Sequence, residues 1–427
     1  MNVWKITGGH RLCGDVRVQG SKNAVLPIMA ASILAGCETE IINCPQLSDV
    51  EAAMEILRHL GCRAEREGDI VNIDSHGMTR TDIPRDLMHE MRSSVIFLGA
   101  ILARTHEAQL TYPGGCELGA RPIDMHLEAL RALGAQIEED GGKLECRDSG
   151  LVGTRIALPF PSVGATENAM LAACGAAGQT TIVNAAKEPE IVDLQCFLRS
   201  LGASVAGAGT SIVTISGFAP RQIVGHRVMS DRIVSATMLC CAVCAGGALT
   251  LHGVVPDDFE TVSAALEEMG CTIERRSMSV KIVCDRPLRA ARAITTRPYP
   301  GFPTDAQPLL MAACLKAAGT SEFTENIFEN RFRHVDGMRR MGADIAVSGR
   351  TASVTGVREL AGAEVSATDL RGGAALVAAA LGAQGVTQIA DSGHILRGYE
   401  DLDRLLNSLG ADVRFEGEEP LSLENAM

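Results

Sequence analysis

The sequence predicts an α/β protein of two domains, each built from three copies of one supersecondary unit. Three observations carry that expectation. The chain has 427 residues, more than one ordinary domain holds, and with 46% hydrophobic and 21% charged residues it is apolar enough to bury a core. A short Leu/Met-Gly-Ala/Cys signature recurs six times along it, and a helix of small apolar residues precedes each copy.

The signature stands at Leu60-Gly61-Cys62, Leu133-Gly134-Ala135, Leu201-Gly202-Ala203, Met269-Gly270-Cys271, Met341-Gly342-Ala343 and Leu409-Gly410-Ala411, spaced by 73, 68, 68, 72 and 68 residues. Each copy follows an amphipathic pattern of helical period and leads into alternating residues such as Gln136-Ile137-Glu138. A glycine between a helix and a strand is the residue expected where the helix ends in a left-handed conformation. The period exceeds that of open solenoids, which favours closed domains.

Upstream lie runs rich in Ala and other small apolar residues: Ala24 to Ala35, Ser94 to Ala103, Thr166 to Ala177, Val234 to Ala245, Gln307 to Ala318 and Gly373 to Ala383. Apolar on every side, such helices must be buried. A turn and a β-rich run follow, as in Thr180 to Asn184 or Ala248 to His252. Each unit reads as strand, buried helix, strand, amphipathic helix and a strand pair. Three units then make a domain with sheets outside and buried helices inside. Asn2 to Gly20 reads as one further strand that completes the domain of units four to six. The expected domains are 1–21 with 230–427, and 22–229, joined near Ser21 and Met229.

Composition narrows the function classes. A net charge of −13 and 3% aromatic residues argue against nucleic acid and anionic membrane as partners. The 22 uncharged residues from Val234 to Val255 are long enough to span a bilayer, but they are rich in Ala, Gly, Cys, Ser and Thr, contain His252 and are divided by Gly246-Gly247, so they read as core. Fourteen scattered cysteines and no basic-then-apolar leader after Met1 point to reduced thiols and a cytoplasmic location. Cys241 and Cys244 form a C-x-x-C without a second pair at metal-ligand spacing, and no phosphate-binding or nucleophile-elbow motif is present.

The starts of the six buried helices carry Lys22-Asn23, Arg92, Ser162-Val163-Gly164, Asp231-Arg232, Asp305 and Asp369-Leu370-Arg371. Asp or Ser at a helix start is ordinary capping, and capping is the simpler account of Asp231, Asp305 and Asp369. Lys or Arg there opposes the helix dipole, and a bound anion would repair that opposition. Three such starts gathered in a domain would make a receptor for phosphate or carboxylate. The loop from Pro113 to Pro122 holds three glycines, Cys116 and Arg121, and reads as a lid whose thiol a nearby guanidinium activates. Arg331 and Arg397 stand at strand-to-helix turns, where lone arginines are usually surface ion pairs.

Gly20-Ser21-Lys22-Asn23, Met91-Arg92-Ser93-Ser94, the Cys116 loop through Arg121-Pro122-Ile123-Asp124, Pro161 to Asn168, Glu188-Pro189-Glu190, Phe302 to Asp305, Phe328 to Arg331, Asp369-Leu370-Arg371 and Arg397-Gly398-Tyr399 together resemble the UDP-N-acetylglucosamine 1-carboxyvinyltransferase family of enolpyruvyl transferases. The resemblance runs almost end to end. It implies a two-domain inside-out α/β barrel with a substrate cleft between the domains. It also implies transfer of the enolpyruvyl group of phosphoenolpyruvate to the 3′-hydroxyl of UDP-N-acetylglucosamine, opening peptidoglycan precursor synthesis. Lys22, Arg121 and Arg397 would hold phosphoenolpyruvate, with Arg92, Arg331 and Arg371 completing the cationic lining. Asn23, Pro122, Ser162, Val163, Gly164, Asp305, Ile327 and Asp369 would line the rest of the substrate site. Asp305 would be the base on the sugar hydroxyl and Cys116 the acid, with Lys22 and Arg397 also catalytic.

No metal or organic cofactor is expected, and the chain should be a monomer or weak homo-oligomer. Two positions depart from the family pattern: Val234 follows Ile233 where a glutamate is common, and Phe160 stands where some members carry lysine. The alternatives are an enolpyruvylshikimate-phosphate synthase-like transferase, which shares the architecture, and a non-catalytic scaffold that binds nucleotide-sugars.

Overall fold

The computed structural model describes residues 2–34, 36–91, 93–112, 123–219 and 223–417. Six buried helices organise them: α1 (Lys22–Ala31), α2 (Phe97–Thr105), α3 (Val163–Cys174), α4 (Arg232–Ala245), α5 (Gln307–Cys314) and α6 (Leu370–Leu381). Four boundaries differ from the apolar pattern in a way that matters for the site. Helices α1, α3, α4 and α6 start two or three residues earlier than their apolar runs, so Lys22, Asn23, Val163, Gly164, Arg232 and Arg371 lie inside first turns. Polar side chains are accepted there because the first-turn N–H groups need no partner from the helix itself. Helix α2 starts later, after a 3-10 turn over Ser94–Ile96.

The third unit shows the repeat complete. Strand Arg155–Ala157 leads through α3 to strand Gln179–Val183, then through the amphipathic helix Pro189–Leu201 to the hairpin Ala203–Ala206 and Ile212–Phe218. The first two strands are parallel, as a helical crossover requires, and the hairpin adds antiparallel to the second. Among the described residues the strands form six four-stranded sheets, each with one parallel and two antiparallel pairings.

The sheets of the sixth and fourth units are finished from a distance. Asn2–Thr7 lies between Val386–Asp391 and Asp412–Glu416, and Leu12–Arg17 pairs parallel with Gly247–His252. The single strand expected over Asn2 to Gly20 is therefore two strands in two sheets. Gly8 and Gly9 separate them: a Cβ on Gly8 would lie 2.2 Å from the Ala383 carbonyl oxygen, and Gly9 has φ +86°. The sheet of the first unit is completed in the same way, by Ile223–Arg227 pairing parallel with Glu38–Ile42.

One compact unit holds residues 2–19 and 230–417, the other residues 20–112 and 123–229. Each has its own apolar cluster. Within each, three buried helices pack on one another and the sheets cover them, with strands such as Ile70–Asp74 alternating between core and solvent. The uncharged stretch from Val234 divides as its glycines suggested, into α4 and strand Gly247–His252 around Gly246 (φ +71°). Among the described residues no helix is long and apolar enough to cross a membrane.

The six signature glycines all have positive φ, between +93° (Gly342) and +111° (Gly202). At Gly134 nothing lies within 4 Å of an added Cβ, so Gly134→Ala isolates the backbone term. It is expected to cost about 1 to 2 kcal/mol. Gly61→Ala should cost more, because its Cβ would also meet the Gly77 carbonyl oxygen at 2.7 Å. Urea unfolding midpoints of the two variants check both the size and the order.

Candidate active site

In the unit of residues 230–417, the chain turns through Thr304–Ala306 before α5 begins. Asp305 sits on that turn, and no side-chain cap is made to α5. Its oxygens go elsewhere: Oδ1 accepts from Nη2 of Arg331 at 2.9 Å, and Oδ2 accepts from Nε of Arg371 at 3.2 Å. The capping account of Asp305 is thus corrected. Asp231 and Asp369 are caps: Asp231 accepts from the N–H groups of Ile233 and Val234, and Asp369 from those of Arg371 and Gly372.

Arg331 is also corrected, from surface ion pair to interior anchor. It is 1% exposed, donates through Nε and Nη2 to the Thr304 carbonyl, lies 3.7 Å from Asp369, and has its guanidinium 5.6 Å from the centre of the Phe328 ring. Arg371 donates through Nη1 to the Tyr399 hydroxyl at 3.1 Å, which in turn meets the Thr237 hydroxyl at 2.9 Å. Burial opposes the Arg371 charge, yet Tyr399, Asp305 and Asp231 around it raise its hold on the proton. Asp305, with a side chain 29% exposed, is the accessible member of a group whose cations are buried. A carboxylate fixed by two guanidiniums is positioned to accept a proton from a bound hydroxyl.

Sequence reasoning missed Glu325. It is 1% exposed, accepts from the N–H groups of Ile327 and Phe328, and takes the Thr304 hydroxyl at 3.0 Å. It therefore ties Ile327 to the turn that carries Asp305. Arg397 ends the 3-10 turn Ile395–Arg397, two residues before Tyr399. At the start of α4, Arg232 lies over the Tyr299 ring at 5.7 Å. Val234, the family departure beside it, packs its side chain in the core.

In the unit of residues 20–229, Lys22 opens α1 with Asn23 beside it. The Lys22 ammonium lies 2.6 Å from Asp49, whose side chain is 1% exposed on the amphipathic helix Ser48–His59. Ser162 caps α3 by accepting from the Ala165 N–H, and Val163 and Gly164 form the first turn. A Cβ on Gly164 would press on the His126 ring at 3.0 Å. Phe160, just ahead of this cap, is 41% exposed. Burial, then the charges of Glu190 and Glu188, push the Glu167 carboxyl well above its usual range. Arg92, Cys116, Arg121 and Pro122 lie outside the described residues.

Two histidines buried beside these groups carry a pH dependence. Burial holds His126 down to about 4 against the opposing charge of Asp124, and its Nδ1 lies 3.1 Å from Nδ2 of Asn168. Burial and Arg331 likewise lower His334 to about 4 against Asp369. An unfolded histidine binds its proton near pH 6.5, so between pH 6.5 and 4 the unfolded chain binds more protons. Stability contributed by the neutral rings is present above that window and lost as pH falls through it. For His126 the loss approaches about 3 kcal/mol at pH 4. Glu167 acts in the opposite direction, so the check is a difference: His126→Gln should flatten the fall in urea midpoint from pH 7 to pH 4.5.

Residues 6–406 match the family model described as EPSP synthase (3-phosphoshikimate 1-carboxyvinyltransferase), and the chain belongs to that family. Within it, the chain is 47% identical over 413 residues to UDP-N-acetylglucosamine 1-carboxyvinyltransferase 2 of Caldanaerobacter subterraneus, covering 97% of this chain and 99% of the relative. It is 49% identical over 414 residues to UDP-N-acetylglucosamine 1-carboxyvinyltransferase 1 of Symbiobacterium thermophilum, covering 96% and 94%. Among solved structures it resembles the enolpyruvyl transferase NikO of Streptomyces tendae, with TM-score 0.87, 27% identity and coverage of 97% and 98%. An EPSP synthase of Acinetobacter baumannii shares the fold at TM-score 0.74 and 21% identity, covering 98% of this chain and 100% of that one.

Proposed function

We propose that the protein transfers the enolpyruvyl group of phosphoenolpyruvate to the 3′-hydroxyl of UDP-N-acetylglucosamine and releases phosphate, the first committed step of peptidoglycan precursor synthesis. The observation that carries the reading is the Asp305 carboxylate held on both oxygens by the buried Arg331 and Arg371. The acceptor is taken from the names of relatives that span nearly the whole chain.

The chemistry runs in two halves. Cys116 protonates C3 of phosphoenolpyruvate, which makes C2 electrophilic, and the sugar 3′-oxygen attacks C2 as Asp305 accepts its proton. The tetrahedral adduct then loses a proton from the new methyl group and expels phosphate, restoring the double bond. Lys22, Arg121 and Arg397 hold the phosphate and carboxylate, and Arg92, Arg331 and Arg371 complete the field that stabilises accumulating negative charge. Asn23, Pro122, Ser162, Val163, Gly164, Ile327 and Asp369 shape the acceptor site. The reaction is a proton-assisted addition and elimination, and none of its steps calls for a metal or organic cofactor. The activity would serve cell wall biogenesis in the cytoplasm, and through it cell shape, the cell cycle and division.

Phosphate release from phosphoenolpyruvate is the direct test. Release that requires UDP-N-acetylglucosamine is expected. Release that requires shikimate 3-phosphate instead would replace the acceptor, and no release with either would leave a binding scaffold. Cys116→Ala should largely abolish turnover, and an epoxide phosphonate such as fosfomycin should alkylate Cys116. Wild-type rates, or peptide mapping that finds another cysteine alkylated, would remove Cys116 from the mechanism.

A further inference from the structure

The ends of α4, α5 and α6 away from Asp305 hold a feature that enolpyruvyl transfer does not use. Residues 272–276 and 279–284 form a hairpin whose last register pair is Thr272 with Val283, and Cys271 and Cys284 are the next residue on each side. Their sulfurs lie 3.6 Å apart. Directly opposed residues of an antiparallel pair have Cα atoms about 4.5 to 5.5 Å apart, within the range of about 4.4 to 6.8 Å that a disulfide spans, so side-chain rotation alone can bring the sulfurs to bonding distance.

A cavity of about 240 Å³ at the C-terminal ends of the three helices has Cys284, Cys244, Arg286 and Lys316 on its wall, and Cys271 lies behind Cys284, 7% exposed. The neighbouring thiols are chemically quiet. Burial raises Cys241 to about 12 and Cys314 to about 11, and drives Cys240 and Cys244 well above the usual thiol range. Cys271 differs, since the hydrogen bond from Cys284 lowers its pKa against burial.

We propose that Cys271 and Cys284 form a two-thiol modification site that hydrogen peroxide converts to an intramolecular disulfide. The Cys271 thiolate attacks a peroxide oxygen, the O–O bond breaks, and the leaving oxygen departs as water after taking a proton, which leaves a sulfenic acid. The Cys284 sulfur attacks the Cys271 sulfur and the S–O bond breaks. The hydroxyl leaves with the Cys284 proton as a second water. Two thiols are oxidised and one hydrogen peroxide is reduced.

The test treats the folded full-length protein with hydrogen peroxide, removes the peroxide, blocks the remaining thiols with iodoacetamide in urea and maps peptides without reduction. Cleavage after Glu268, Glu274 and Lys281 places Cys271 and Cys284 on separate peptides, with Cys240, Cys241 and Cys244 on others. The expected result is a Cys271–Cys284 linked pair that has lost two hydrogens, formed while Cys240, Cys241, Cys244 and Cys314 remain fully alkylatable. In Cys284→Ser the link should vanish and a dimedone-reactive sulfenic acid should persist on Cys271. A wild-type Cys271 joined to a different cysteine, oxidised to sulfinic acid without linkage, or protected until urea unfolds the chain would overturn the proposal. The wild-type map decides even where the variant does not fold.

Discussion

Asp305→Ala is expected to lower turnover about a thousandfold, the middle of the range that a positioned general base contributes. The same substitution removes the acceptor that joins Arg331 to Arg371, so some stability must go with it. That loss should be modest. The Asp305 side chain is 29% exposed, which weakens the pairing, and Arg331 keeps two bonds to the Thr304 carbonyl while Arg371 keeps Tyr399. Roughly 1 to 2 kcal/mol is the expected cost, far too little to unfold a domain with its own core. Asp305→Asn separates the roles further, because an amide preserves the shape and one acceptor but takes no proton. Turnover measured beside urea unfolding decides. If the rate loss in both variants merely tracks the unfolded fraction, Asp305 is a structural tie and another group must take the hydroxyl proton.

The contrast between Asp305 and its neighbours shows what the sequence could and could not disclose. The repeat was legible because its physics is local: a helix that ends on a left-handed residue selects glycine, and a helix surrounded by protein selects small apolar side chains. Those constraints act within a few residues of one another and leave the same mark six times. Asp231 and Asp369 were legible as caps for the same reason. Asp305 has the same residue type near a helix start, yet its partners stand 26 and 66 residues further along the chain. Nothing within its own turn distinguishes a cap from a carboxylate aimed at distant guanidiniums. Glu325 was invisible on similar grounds, since its task is to accept backbone N–H groups that any sequence offers. Lys22, Arg92 and Arg371 were flagged by a local oddity, Lys or Arg where a helix dipole disfavours it. What the oddity could not reveal was that Lys22 already faces a buried acid, Asp49.

That acid makes Lys22 the residue whose replacement should separate packing from catalysis most sharply. Lys22→Met is expected to abolish most turnover, because it removes a cation proposed to hold phosphoenolpyruvate, and also to destabilise the fold. Asp49 is 1% exposed and loses an ammonium at 2.6 Å, and stripping one partner from a buried pair costs about 3 to 5 kcal/mol. Adding Asp49→Asn takes away the carboxylate charge that lost this ammonium, so the double variant should recover most of the stability. Removal of both charges of a buried pair is close to neutral when the volume is kept. Turnover should not recover with it, and the remaining defect should appear as a raised KM for phosphoenolpyruvate together with a lowered kcat. If the double variant regains both stability and activity, Lys22 is only the counter-ion of Asp49. Asp49→Asn alone completes the cycle. It removes the carboxylate charge 2.6 Å from Lys22, and its KM for phosphoenolpyruvate should move far less than that of either variant lacking the lysine.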